Sequence, residues 1–530
     1  MKNRMFILVV LLLAPLLFLS QQSPVNNVNG FTADPGSYEI LSNYQGKNNV
    51  LKVDVSKAQG VLARYSLDQY RGRPITIEFS ADVRREGSSG TLMWQMSNSP
   101  YYPEITSIQN AEPNKWHNMR GRVIVTPAQN GWSAIYLTNW GVPLNTTIYI
   151  ANPIVTITTG NPFTPDFSLT SLKTIYTNHF KIGNIINDEY MTESYYNLLK
   201  HHYNSVIPQY NLMPSFLAPA NKGGVYQWTD ADRIVNQAIK DNMEVAHGMH
   251  LVWHEFTPAW MTEGTREEVI QNMNNYITTV VRHFRGRINS WVVVNEAVRD
   301  GLTTRDARGD WRNCLNDSQN RINIHSPNNE WFNKLGSDYI ELAFRAARAA
   351  DPNVILYYND FGLEDVNKAE VVRKMIQDIN DRYKRETRGN RNLIDGVGSQ
   401  AHIYDLNLNM NNVRAALDKL VSLGIEISIT EMDIPIGGWP DVGEARGLDS
   451  VMSESDAIAQ ALLYARLMQL YKEYSSHISR VSFWCMDDNR SWLSKGNPTL
   501  FDFHLNAKLS FHAVSDPDGF IRQYGGRTRR

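Results

Sequence analysis

Past about residue 168 the chain adopts one rhythm and keeps it to its end: a short apolar run, a helical pattern, then another apolar run. Strand-like runs fall at 180–186, 203–208, 244–252, 288–294, 354–358, 393–399, 425–430 and 478–484. Helical patterns lie between them, among them 229–241, 265–284, 337–351, 368–383, 411–423 and 455–474. Strands that are apolar along their whole length must be covered on both faces, which a parallel sheet flanked by helices achieves. Eight such units predict an α/β fold, a (β/α)8 barrel over residues 168–526. A doubly wound open sheet is the alternative. It would ask for a glycine-rich phosphate loop after the first strand, where Gly183 stands alone.

The first part of the chain reads differently. Over residues 25–159, short strand patterns at 50–55, 75–83, 121–126, 133–137 and 147–150 alternate with Gly, Pro, Asn and Ser clusters, which predicts an all-β sandwich. Residues 160–167, with two prolines, read as a linker. At the start, Lys2 and Arg4 precede an apolar run ending at Leu19, then polar residues. Residues 1–22 are therefore expected to be a secretory signal, too short for a comfortable membrane span, which places the protein outside the cytoplasm or at the cell surface. An uncleaved anchor is the alternative. Cys314 and Cys485 are the only cysteines, so export brings no disulfide framework; the pair could bond or stay free. A formal net charge of −2 leaves no basic surplus for nucleic acid.

In a barrel of this kind the chemistry sits at the C-terminal strand ends. The fourth strand runs Trp291-Val-Val-Val-Asn295-Glu296, and the seventh Ile427-Ser-Ile-Thr-Glu431-Met-Asp433. Each is an apolar strand ending in a carboxylate. Glycosidic cleavage needs one carboxyl to protonate the leaving oxygen and a second, as nucleophile or base, across the anomeric carbon. A single such Glu would read as a rim salt bridge; the pair with its neighbours does not. His402 ends the sixth strand and could hold the nucleophile's charge, with Asp433 orienting its ring. Asn295 could bond a sugar hydroxyl. Trp253, Trp484 and Trp492 are candidate sugar platforms, although core packing is the default for any single tryptophan.

These stretches resemble the xylanases of glycoside hydrolase family 10. The matches are Trp291-Val-Val-Val-Asn-Glu-Ala297, Ile429-Thr-Glu-Met-Asp-Ile434, Asp395-Gly-Val-Gly-Ser-Gln-Ala-His402, Leu251-Val-Trp-His254, Leu356-Tyr-Tyr-Asn-Asp360 and Phe483-Trp484. The resemblance implies a retaining endo-β-1,4-xylanase with Glu296 as general acid/base and Glu431 as nucleophile. It places Asn295, Gln400 and His402 around the reacting sugar, Asp433 behind His402, and Trp253, His254, Trp484 and Trp492 in sugar subsites. It implies a polysaccharide substrate, no cofactor, no metal and a monomer. A weaker resemblance links Lys115–Val123 and Thr147–Ile154 to carbohydrate-binding modules of the family 22 or family 4 type; a sandwich that only packs on the barrel is the alternative.

The chain also departs from the family. After the second strand, where the family carries Glu-Asn-Glu-Met-Lys-Trp to hold glycone sugars, this chain reads Gln209-Tyr210-Asn211-Leu212-Met213-Pro214. After the third, the family's His and Gln are replaced by Met249 and Phe256, with His250 or His247 positioned to compensate. A decorated xylan or a β-glucan is thus an alternative substrate. A glycan-binding protein without turnover is the alternative from another class. Residues 299–334 form an insertion-like loop, which either shapes the active site or is a solvated excursion.

Overall fold

The computed structural model describes residues 28–58, 61–71, 73–96, 104–125, 134–138, 142–160, 163–220, 225–316, 329–438 and 452–526. The segment read as a secretory signal lies outside them, as do Tyr101, Tyr102, Trp132 and Trp140 of the sandwich.

The barrel closes. Its first strand, Lys181–Ile186, pairs with the second, Ser205–Pro208, on one side and with the eighth, Ile478–Phe483, on the other. Ser290–Asn295, Ile355–Asp360, Gly396–Ser399 and Glu426–Met432 complete the ring, all in parallel. The third strand, expected as one run over 244–252, is broken. Glu244–Val245 pairs with the second strand and His247–Gly248 with the fourth. The second strand ends at Pro208, whose missing N–H offers no further donor. Beyond Gly248 the chain bonds only to its other neighbour, with Leu251 N donating to Val292 O at 3.0 Å. Gly248 is required there: a Cβ would lie 2.3 Å from the Trp291 ring, which packs outside the sheet against Phe284 with centroids 6.2 Å apart.

The helices follow the strands. Arg266–His283 opens with a capping box between Thr265 and Glu268. Trp228–Lys240, Asp338–Ala350, Val366–Thr387 and Met410–Val421 each turn an apolar stripe onto the sheet, whereas Glu454–Glu473 is buried on two faces, against the barrel and against Ala513 and Phe520. Glu193–His202, between the first two strands, adds a helix that the apolar periodicity did not single out.

The N-terminal region is a sandwich of two antiparallel sheets. Five strands run in the order Tyr38–Tyr44, Lys47–Asp54, Thr147–Thr159, Ile75–Glu86, Trp116–Val125. The other four run Val61–Ser66, Ala134–Thr138, Gly90–Met96, Glu104–Ala111. Alternation along Ile75–Glu86 sends Ile75, Ile77, Phe79, Ala81 and Val83 inward, where Phe79 meets Trp94 with ring centroids 4.7 Å apart. The segment read as a linker is tied down where it is described. Phe163 is buried against Tyr195 at 4.9 Å, and Thr164 Oγ1 donates to Asn506 at 3.1 Å. Arg122 of the sandwich reaches His504 of the barrel at 3.1 Å.

Cys314 and Cys485 are both free and buried. The described part of the loop after the fourth strand packs inward. Trp331 is buried, and its Nε1 donates to the Trp253 carbonyl at 3.2 Å. No described helix is long and apolar enough to cross a membrane.

Candidate active site

Two carboxylates meet at the C-terminal rim. Glu296 follows the fourth strand directly, in the left-handed backbone region at φ +55°. A side chain rarely holds this conformation, at a cost of order 1 kcal/mol or more, and such residues cluster at functional sites. It is held by its N–H, which donates to Asn359 O at 2.9 Å. Glu431 sits within the seventh strand and is 4% exposed.

A bridge of amides joins the two. Gln400 Nε2 donates to Glu296 Oε1 at 3.0 Å and to Asn295 Oδ1 at 3.2 Å. Asn359 Nδ2 donates to the same Asn295 oxygen and to Glu431 Oε1, both at 2.8 Å. Thr430 Oγ1 donates to Asn359 Oδ1 at 2.8 Å, so the bridging amide has no freedom to flip. Gly398 makes room for it: a Cβ there would lie 2.2 Å from Asn359 Oδ1. The other Glu296 oxygen accepts from Trp253 Nε1 at 3.0 Å.

On the far side of Glu431 stands His402, whose Nε2 lies 3.5 Å from Glu431 Oε2 and whose Nδ1 lies 2.8 Å from Asp433 Oδ1. Trp492 Nε1 donates to the remaining Asp433 oxygen at 2.9 Å. Burial opposes a charge on His402, but the Asp433 and Glu431 carboxylates outweigh it and raise the imidazolium to about 10. Glu296 has only neutral donors for partners. Burial, with the like charges of Asp360, Glu255 and Glu431, pushes its carboxyl up to about 8. The rim therefore keeps one carboxyl protonated near neutrality and sets the other against a cation.

That asymmetry has a cost measurable without substrate. An unfolded Glu loses its proton near pH 4.5, whereas folded Glu296 keeps it to about pH 8. Between those values the folded state binds the extra proton, so this group's contribution to stability falls as pH rises through the window. At pH 7 the penalty approaches about 3 kcal/mol. Glu296→Gln, which keeps the shape without the charge, is expected to raise Tm at pH 7 relative to the wild type and to leave it nearly unchanged at pH 4. Equal shifts at both pH values would contradict the burial of a titrating Glu296.

The site opens into a cleft of about 800 Å³, lined by Glu296, Glu431, Asn295, Gln400 and His402, with Trp253, Trp484 and Trp492 as walls. Gln209, Tyr210 and His250 also line it, with Gln209 Oε1 accepting from Asn187 Nδ2 at 2.8 Å. His254 does not. It borders a neighbouring cavity of about 470 Å³ with Thr257, Glu330 and Trp331. His247 is sealed inside the barrel, 2.7 Å from Ser290 Oγ and 3.0 Å from Ser428 Oγ, and takes no part in the cleft.

The sequence reading passed over Asn359, Glu255, Tyr404 and Asp300, all but the first of which line the cleft. Asn359 was open to the rule that singled out Glu296: it is a polar residue closing the apolar run from Ile355. Burial raises Glu255 to about 7, which makes it a third carboxyl near the reacting centre.

A parallel barrel whose rim neutralises one buried carboxyl and clamps a second across the same cleft has the equipment of a glycoside hydrolase. The chain belongs to glycosyl hydrolase family 10, whose model matches residues 171–517. It is 29% identical to an endo-1,4-beta-xylanase A of Thermoanaerobacterium saccharolyticum over 80% of its own length, and spans only about a third (34%) of that relative. An endo-1,4-beta-xylanase A of Halalkalibacterium halodurans is 31% identical over 66% of this chain and 87% of its own. Among solved structures, a bacterial Ig-like domain containing GH10 xylanase from termite gut superposes with a TM-score of 0.59 at 28% identity, covering 83% of this chain and 95% of that one.

Proposed function

We propose that the chain hydrolyses β-1,4-xylosidic linkages within xylan, with retention of configuration and through a covalent glycosyl-enzyme. The observation that carries this reading is the opposed treatment of two carboxyls in one cleft. Glu296, held protonated by burial, donates its proton to the leaving oxygen. The Glu431 carboxylate attacks the anomeric carbon from the other face, its position fixed by Asn359 and His402. Glu296 is then a base and takes a proton from the water that releases the sugar. Asn295, clamped between Gln400 and Asn359, supplies an oriented amide to the sugar hydroxyls. His402, oriented by Asp433 at 2.8 Å, stands 3.5 Å from Glu431 Oε2 and holds that carboxylate's position beside the anomeric carbon.

The N-terminal sandwich is taken to support binding to the polymer, and residues 1–22 to direct export. The exchanges at Tyr210, Met213 and Phe256 favour a decorated xylan, whose main chain is the one the names of the relatives carry.

The test is product formation from unbranched xylan, arabinoxylan and β-glucan. It is followed by NMR of the first product from an oligosaccharide to read the anomer. Release of short xylo-oligosaccharides as the β anomer supports the reading. An α anomer overturns retention, and hydrolysis of β-glucan alone overturns xylan.

A further inference from the structure

One end of the cleft is built from apolar rings. Tyr210 and Phe256 line it, with Phe216 packed against both; the three centroids lie 5.6, 6.2 and 6.3 Å apart, tilted to one another by 31–50°. Phe256 continues to Trp253 at 5.4 Å, and Met213 lines the floor. Phe256 is 39% exposed, one of few large hydrophobic side chains so open among the described residues, and it stands at the lip of the catalytic cleft. Rings tilted in this way form a cup rather than a platform. A sugar ring stacks on one flat face, whereas a tilted set accepts another aromatic ring edge-on.

The electrostatics narrow the ligand. No lysine or arginine is among the described residues lining the cleft, while Glu255, Glu296, Asp300 and Glu431 are. The one cation among these lining residues, His402, is already paired with Asp433 and Glu431, so an anionic decoration such as a uronic acid would find no free counter-charge there. Beside the cup, His250 is 3% exposed and lines the cleft, yet neither of its ring nitrogens has a hydrogen-bond partner. An orphaned buried pair of this kind costs free energy unless a ligand satisfies it. Burial lowers His250 to about 4, so the ring is neutral, with one nitrogen to donate and one to accept. A sugar hydroxyl does both.

We propose that this end of the cleft binds an aromatic acyl substituent, a hydroxycinnamoyl ester carried by the polysaccharide, with the ring against Tyr210 and Phe256 and His250 bonded to a hydroxyl of the adjoining sugar. The proposal rests on the xylan reading and names the decoration that reading leaves open.

The experiment uses the full chain carrying Glu431→Gln, so that ligands stay whole. Two probes are titrated: feruloylated arabinoxylo-oligosaccharides, and the same material after alkaline saponification. The feruloylated probe is expected to bind about tenfold more tightly, the contribution of one well-buried ring. Adding Phe256→Ala should shrink that gap to threefold or less, and Phe256→Leu should restore part of it. His250→Ala should weaken both probes to the same degree. Equal affinity for the two probes, a gap that survives Phe256→Ala, or no binding of either overturns the proposal. Because Phe256 stands at the surface, its loss leaves the barrel core untouched. Wild-type hydrolysis of saponified xylan without an affinity gap would sink this inference while the proposed function stands. A gap without xylan hydrolysis would do the reverse.

Discussion

Glu431→Ala is expected to lower kcat/KM on xylan by about 10⁴-fold or more, the scale on which removing a group that bonds to the reacting carbon acts. The loss should be chemical rather than structural. Asn359 Nδ2 still has the Asn295 oxygen at 2.8 Å, and His402 still has Asp433 at 2.8 Å, so the bridge and the ion pair survive the truncation. Circular dichroism and Tm should therefore stay close to wild type. The truncation also leaves a hole where the carboxylate stood, of a size for a small anion, beside a cationic His402. With an aryl xyloside whose leaving group departs easily, added azide should restore turnover. The azide enters on the vacated face, so the product is a glycosyl azide of inverted configuration, which NMR identifies. Wild-type-like hydrolysis in the variant, or an azide product of retained configuration, would remove Glu431 from the role of nucleophile.

Most of this architecture could be read from the chain because two signals coincided. Apolar runs long enough for strands recur between helical periods, and the polar residue that ends such a run is forced to the rim. That reasoning reaches Glu296, Glu431, Gln400 and His402, whose positions depend only on strand ends. It does not reach contacts made across the barrel. Asn359 bridges the two carboxylates because Gly398 on the neighbouring strand leaves space for it, and no pattern along one strand announces that pairing. The break in the third strand was equally hidden: Ala246 is as apolar as its neighbours, and the interruption follows from where the second strand runs out. Loop residues escape periodicity altogether. His254 follows Trp253 directly yet faces a different cavity, while Glu255, one residue further, returns to the cleft. The loop 299–334 was poised between two readings; within its described part the Trp331 indole is buried and bonds the Trp253 carbonyl, while residues 317–328 lie outside the described residues.

Glu296→Ala is expected to discriminate between substrates by their leaving groups. On xylan, whose leaving sugar alkoxide needs its proton, kcat/KM should fall by about 10³- to 10⁴-fold, the upper range for a general acid. On an aryl glycoside with a nitrophenolate leaving group, the first step no longer needs that proton, and kcat/KM should fall far less. Release of the sugar from Glu431 still lacks its base, so the glycosyl-enzyme should accumulate, seen as a burst of nitrophenol followed by a slow steady state. The pH profile gives a second, independent reading. In the proposed mechanism Glu296 acts in its protonated form, so kcat/KM on xylan should decline as pH rises through about 8. With the carboxyl removed, that limb has no group to report and should vanish from the profile on the aryl substrate. His402 cannot stand in for it, because its imidazolium persists to about 10. A uniform loss on both substrates would mean that Glu296 shapes the cleft without transferring the proton. An alkaline limb that remained near pH 8 in the variant would assign the titration to another group, with Glu255, raised by burial to about 7, the neighbour to remove next.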